Sequence, residues 1–306
     1  MKAADIAEER RKCMNIRKIG IAGSGTMGSS MAKIFAQYGF DVVLYNHRQP
    51  SLDLAKERIG SSAAERICFT TDISRLADRE LIVENLPEVI ETKKDFYRTL
   101  CGIVSADTII ATNTSGLSIN SLSEAVAQPE RFLGMHWVNP PHLIPLVEII
   151  KNDRTRDDVA ETVRETALAI GKKPVIVKKD VPGFLLNRIQ LAVAREALSL
   201  VEQGVTSGED IDSVLKYGLG VRWACMGPLE TMDFGGLDIF YHIAEYLVPD
   251  LCDSHEIPAE LKKHYEQGEY GVKTGSGFFR YPAEEVAARL KARDEKLEKL
   301  IRDQKG

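Results

Sequence analysis

His136 and Glu148 are the two side chains best suited, by type and surroundings, to move a proton. The chain has 6 histidines, and His136 closes an apolar run, Phe132–His136, that leads into Trp137-Val138-Asn139-Pro140-Pro141. An imidazole titrates near neutrality, so it can take a proton from a hydroxyl group and return it. Further on, Glu148 lies inside Pro145-Leu146-Val147-Glu148-Ile149-Ile150, with aliphatic neighbours on both sides. A carboxylate in such company is costly to bury alone. His136 on a neighbouring strand would be its partner, and the carboxylate would fix the ring tautomer and stabilise the imidazolium. Two plainer readings stay open: a buried structural histidine, and a glutamate facing out from an edge strand.

The second feature is Gly23-Ser24-Gly25-Thr26-Met27-Gly28, directly behind the apolar run Lys18-Ile19-Gly20-Ile21-Ala22. Met27, Met31, Ile34 and Phe35 follow at helical spacing. Glycines at this strand-to-helix junction permit a tight turn (Gly23), close approach of a diphosphate (Gly25) and close helix packing (Gly28). Thr26 and Met27 open the helix whose N-terminus would hold the diphosphate. An ordinary strand-to-helix turn is the alternative.

These residues need a frame. Candidate strands are Lys18–Ala22, Val42–Tyr45, Leu81–Glu84, Thr108–Ala111, Phe132–His136, Val147–Ile150 and Val175–Val177, with helical patterns at Leu52–Arg66, Glu91–Leu100 and Asp157–Ile170. Alternating β and α units predict an α/β fold, a doubly wound, largely parallel sheet of the Rossmann type, whose ligands bind at the carboxyl ends of the strands. After Asp180 the pattern turns helical: Phe184–Gln203, Asp210–Tyr217, Leu237–Leu247, Ala259–Glu266 and a charged terminal helix, Glu284–Asp303. We therefore expect a dinucleotide-binding domain over 15–180 and an all-α substrate and dimerisation domain over 181–306. Apolar residues on several faces of Phe184–Val201 call for burial on several sides, by its own domain or a second subunit.

A length of 306 residues suits two domains, and a formal charge of −5 gives no footprint for nucleic acid or an anionic membrane. No apolar stretch is long enough to span a bilayer. The charged stretch Met1–Lys18 reads as a mobile leader without a signal-peptide core. Five scattered cysteines (Cys13, Cys68, Cys101, Cys225, Cys252) form no metal-binding spacing and read as free thiols. The expectation is a soluble, cytoplasmic protein without a structural metal.

The run His136-Trp137-Val138-Asn139-Pro140 with Glu148, the stretch Ala111-Thr112-Asn113-Thr114-Ser115, the segment Pro182-Gly183-Phe184-Leu185-Leu186-Asn187-Arg188 and the late Gly271-Val272-Lys273-Thr274-Gly275-Ser276-Gly277-Phe278 together resemble the L-3-hydroxyacyl-CoA dehydrogenase family. The similarity runs from about Arg17 to Tyr281 and is strongest to the branch with lambda-crystallin and L-gulonate 3-dehydrogenase. The resemblance implies hydride exchange between a nicotinamide cofactor and a 3-hydroxyacyl group, as in fatty acid metabolism, with His136 as base and acid and Glu148 orienting it. It implies that Ser115 and Asn187 bond the reacting oxygen or the histidine's surroundings, with Asn187 supplied by the helical domain. Glu88, Lys93 and Asn113 match positions near the cofactor, and a homodimer through the helical domain is implied. The coenzyme A ester is the first expectation for the substrate. A free 3-hydroxy acid of the gulonate or carnitine kind, held through Arg188 or Arg222, is the alternative, and a non-catalytic crystallin-like role is a third.

Two departures stand out. NAD-preferring members end the second strand in an aspartate that binds the ribose hydroxyls, whereas this chain has Asn46 followed by Arg48, which leaves NAD open and tilts the expectation towards NADP. Thioester-specific members also carry a longer helical pair with a basic tail after this strand, but only about twenty residues separate Asn46 from Ile67.

Overall fold

The computed structural model describes residues 16–303. The leader expected at the N-terminus, and Cys13 with it, lies almost entirely outside them; the other four cysteines are free thiols. Among the described residues no helix is long and apolar enough to cross a membrane, and no cluster of His, Cys, Asp and Glu is arranged to hold a metal. Contacts divide the described residues into two compact units, the first ending at Arg188 and the second beginning at Ile189.

In the first unit, eight strands form one sheet: β1 Lys18–Ala22, β2 Asp41–Tyr45, β3 Ile67–Thr70, β4 Leu81–Glu84, β5 Ile109–Thr112, β6 Phe132–Trp137, β7 Leu146–Lys151 and β8 Lys173–Val177. Their order is β3-β2-β1-β4-β5-β6-β7-β8. The strands from β1 to β6 are parallel; β7 runs antiparallel to β6, and β8 is parallel to β7. The reversal follows from chain length, because the eight residues between β6 and β7 leave no room for a crossover helix.

Side chains alternate across this sheet with the two-residue period of a strand. Ile19, Ile21, Leu133, Met135, Val147 and Ile149 face one layer, where they meet Met31 and Phe35 of α1 (Thr26–Gln37) and Val159 and Val163 of a helix over Asp157–Ala169. Ile82, Ile110, Phe132 and Ile150 face the other, with Tyr97 and Leu100 of a helix over Ile90–Cys101. His136 and Glu148 are in phase with Phe132 and Ile150, so both point into this second layer.

Several features depart from expectation. β3 was not anticipated: four residues, Ile-Cys-Phe-Thr, between charged neighbours carry too little alternation to register. The single helix expected over Leu52–Arg66 is two, α2 Gln49–Ile59 and α3 Ser61–Ala64, broken at Gly60, whose φ of 82° an L side chain rarely adopts. The long helix expected from Phe184 begins at Leu186, because Gly183 (φ 73°) and Phe184 (φ 53°) are in the left-handed region.

The second unit is helical: Gly208–Val214, Gly220–Cys225, Pro228–Gly235, Leu237–Leu247, Ala259–Glu266 and Ala283–Asp303, following the bulk of the helix Leu186–Glu202. The helix Pro228–Gly235 was missed, and a π-helical stretch over Leu215–Leu219 interrupts the one expected at Asp210–Tyr217. No described residue from 189 onward is buried, and Phe234 is 78% exposed.

Candidate active site

Residues His136 and Glu148 sit directly opposite one another in the β6–β7 ladder. Nδ1 of His136 lies 2.8 Å from Oε2 of Glu148, and both side chains are buried. The second carboxylate oxygen, Oε1, accepts from the backbone N–H groups of Leu185 (2.9 Å) and Leu186 (3.0 Å). These N–H groups open the helix Leu186–Glu202, where the backbone has unpaired donors and favours negative charge. Burial alone would push the Glu148 carboxyl up; the bonds to His136, Leu186 and Leu185 outweigh it and hold the group below the usual carboxylate range. An ionised Glu148 accepts from a proton-bearing Nδ1, and in the neutral ring that tautomer leaves Nε2 as the unprotonated nitrogen. Phe184 packs on the ring with centroids 5.5 Å apart. The reading of Glu148 as an outward-facing edge-strand residue fails, because β7 lies between β6 and β8 and the carboxylate is buried against His136.

Ser115 is exposed after β5; its N–H donates to Glu88 Oε1 (2.8 Å), and its carbonyl accepts from Asn187 Nδ2 (2.8 Å). Asn187 thus falls in the first unit and braces the serine backbone, while the Ser115 hydroxyl has no bond to a described residue. Asn113 is also a brace. Its Nδ2 donates to Asn85 Oδ1 (2.9 Å), and its Oδ1 accepts from the N–H of Trp137 (2.9 Å), tying the residue after His136 to the β4 loop.

The glycine turn meets its geometric demands. A Cβ on Gly28 would lie 1.9 Å from the Gly23 carbonyl oxygen, and one on Gly23 (φ 101°) would lie 2.5 Å from that of Asn85, whereas Gly25 faces open space. Gly23, Ser24 and Gly25 line a cavity of about 480 Å³ with Asn46, His47, Arg48, Ser51, Leu54, Arg58 and the Asn85–Pro87 turn. The N–H groups of Thr26, Met27 and Gly28 open α1 beside it. A diphosphate requires such a set: open backbone, unpaired N–H donors and no Cβ in the way.

The family model described as "3-hydroxyacyl-CoA dehydrogenase, NAD binding domain" matches residues 18–181, and that of the family's C-terminal domain matches residues 183–281. This chain belongs to the 3-hydroxyacyl-CoA dehydrogenase family. It is 37% identical over 297 residues to 5-formyl-3-hydroxy-2-methylpyridine 4-carboxylate 5-dehydrogenase of Mesorhizobium japonicum, covering 92% of this chain and 96% of that one. A crystal structure of an enzyme of that name, described as an NAD+-dependent dismutase, superposes with a TM-score of 0.90 at 37% identity, over 95% of this chain and 99% of that one. Similarity to 3-hydroxybutyryl-CoA dehydrogenase of Bradyrhizobium diazoefficiens is 36% over 284 residues, 87% of this chain and 96% of that protein. The (S)-3-hydroxybutyryl-CoA dehydrogenase PaaH1 of Ralstonia eutropha superposes at 0.72 with 31% identity, covering 88% and 100%. Homologues of this chain are NAD-dependent dehydrogenases acting on CH–OH groups, and the chain is a nicotinamide-dependent oxidoreductase of CH–OH groups.

Within this family member, Asn46 presents a neutral amide at the end of β2, and both of its polar atoms are engaged: its Nδ2 donates to Ser24 Oγ (2.9 Å), and its Oδ1 accepts from Arg48 N (3.0 Å). Arg48 and Arg58 are exposed on the same cavity. Lys93, expected near the cofactor, is fully buried against Glu84, with Nζ to Oε1 at 2.7 Å, so its ammonium is committed inside the fold. Glu88 keeps a half-exposed carboxylate between Thr114, Ser115 and Lys93.

Sequence reasoning passed over Lys172 and Ser24. Lys172 donates to the carbonyls of Pro141 (2.5 Å) and Ile144 (2.7 Å) and lies over the Trp137 ring, pinning the connection between His136 and Glu148. In sequence the Lys172-Lys173 pair reads as solvated charge. Ser24 was passed over because a serine inside a glycine turn carries no signal of its own.

Proposed function

We propose that this chain is a nicotinamide-dependent dehydrogenase of a small hydroxy acid, with His136 Nε2 as the base that takes the hydroxyl proton in oxidation and returns it in reduction. The carrying observation is the 2.8 Å bond from His136 Nδ1 to an ionised Glu148, which leaves Nε2 as the acceptor. Bound nicotinamide supplies the hydride acceptor; the protein holds the dinucleotide on the Gly23–Gly28 turn and moves the proton. Ser115 offers a hydroxyl for the reacting oxygen. Arg188, exposed beside Asn187 and donating to the Pro182 carbonyl at 3.3 Å, is suited to a substrate carboxylate.

The short crossover favours a free acid over a thioester: α2 and α3 fill the space between Asn46 and Ile67, with no long helical pair to carry a basic tail. The pyridine carboxylate named for the Mesorhizobium relative agrees. A coenzyme A ester is the second reading, favoured by the hydroxybutyryl-CoA dehydrogenases at similar identity. For the cofactor, loss of the acidic residue at Asn46 and the exposed guanidinium groups of Arg48 and Arg58 support NADP over NAD.

Steady-state assays with acetoacetyl-CoA, free acetoacetate, gulonate and a hydroxymethyl pyridine carboxylate, each with both cofactors, test these points. The expected result is a higher kcat/KM for a free acid than for the thioester, and for NADP over NAD. A low-micromolar KM for acetoacetyl-CoA would reverse the substrate assignment, and a clear NAD preference would end the case for NADP.

We also propose a homodimer through the helical unit. Tyr217 (76% exposed), Leu229 (76%) and Phe234 (78%) present more apolar surface than an isolated helical unit leaves to water. Light scattering should give twice the chain mass for the wild type and the monomer mass for Phe234→Asp. Wild-type monomer at micromolar concentration would refute the dimer.

A further inference from the structure

Glu84, at the carboxyl end of β4, was not singled out by sequence, yet four donors converge on it in full burial. Oε1 accepts from Lys93 Nζ at 2.7 Å and from the N–H of Leu86; Oε2 accepts from Tyr97 OH at 2.5 Å and Thr112 Oγ1 at 2.9 Å. Burial first, and then the Glu84 charge, raise the Tyr97 phenol well above its ordinary value, so it stays a proton donor. Lys93 extends the chain of contacts. Its ammonium donates to the Leu86 carbonyl at 3.2 Å and lies 3.6 Å from Glu88 Oε2, while Glu88 Oε1 holds the Ser115 N–H and the Thr114 hydroxyl.

We propose that Glu84 is a positioning residue: through Lys93 and the Leu86 N–H it fixes the turn 85–88, and so sets one wall of the nucleotide cavity and the backbone of Ser115 together. Leu86 and Pro87 line that cavity, and Ser115 is the hydroxyl assigned to the reacting oxygen. The inference rests on reading the Gly23–Gly28 turn as a dinucleotide site. A solely structural Glu84 would satisfy the same buried donors but would leave cofactor affinity unchanged once stability was restored.

Charge removal in both partners separates the two roles. Breaking a buried pair is costly, whereas replacing both members with neutral groups is often tolerated. Glu84→Gln should lower Tm and weaken NADPH or NADH binding, followed by cofactor fluorescence, by about tenfold or more. The double variant Glu84→Gln/Lys93→Met should recover most of the Tm yet keep the weakened binding, because Glu88 has lost its cation. Tyr97→Phe keeps the ion pair and should fold; it should weaken cofactor binding by roughly threefold with only a small change in Tm. Recovery of both Tm and affinity in the double variant would overturn the proposal. If the charge variants do not fold, wild-type affinity in Tyr97→Phe would do the same. Failure of the wild type to bind either reduced cofactor would instead sink the reading of the cavity, and this proposal with it.

Discussion

Replacing His136 with glutamine should lower kcat by about two to four orders of magnitude in either direction, with the Kd for reduced cofactor within a few-fold of wild type. The ring is buried, and its Nδ1 is committed to Glu148, so Nε2 is the nitrogen left to exchange a proton with substrate. Glutamine can still bond to Glu148 through its amide but has no group that titrates near neutrality. The glycine turn and its cavity are built from the β1–α1 turn, the end of β2, α2 and the β4 loop, none of which contacts the imidazole. Rapid-kinetics measurement of the hydride step, with cofactor binding measured separately, checks both halves. A variant retaining more than a tenth of wild-type kcat would remove His136 from the chemistry.

Glu148→Gln should cost kcat on the order of 10³–10⁴-fold, the size of effect found when a histidine's orienting carboxylate is made an amide. The reason is local. If the glutamine oxygen keeps the Leu185 and Leu186 N–H bonds, its NH2 faces Nδ1 and forces the proton onto Nε2, where a base is needed. If it turns the other way, its NH2 meets two backbone donors. The substitution should also change acid stability. The Glu148 carboxyl lies below its ordinary 4.5 in the folded protein, so its contribution is complete above that value and is lost as pH falls through the folded value. The wild type should therefore lose Tm more steeply than Glu148→Gln between about pH 5 and 3. Equal slopes, or a kcat near wild type, would mean that the His136–Glu148 bond is incidental.

Much of the first unit was legible because its signals are local. β1 and β4 occupy the expected residues, and the glycine turn opens α1 as its spacing requires. The structure also decides what position alone left open. Lys93 was expected near the cofactor, and its ammonium is held inside the fold by Glu84. Asn113 was expected near the cofactor and Asn187 on the reacting oxygen or in the histidine's surroundings; their amides brace the backbones of Trp137 and Ser115. Glu84 drew no notice because a glutamate at a strand end is ordinary until its four donors are seen together.

Sequence alone determined that a glycine turn of the dinucleotide-binding kind precedes a helix, that the chain turns helical near residue 180, and that a carboxylate at Glu148 needs a partner for which His136 is the candidate. These follow from composition and short-range periodicity, which record which groups must be buried and which backbone angles are allowed. Tertiary structure decided the reversal at β7, the register that sets Glu148 opposite His136, and the helix terminus whose N–H groups hold that carboxylate. Those features depend on hydrogen bonds between segments far apart in the chain, and no local pattern specifies which distant donor will meet which acceptor.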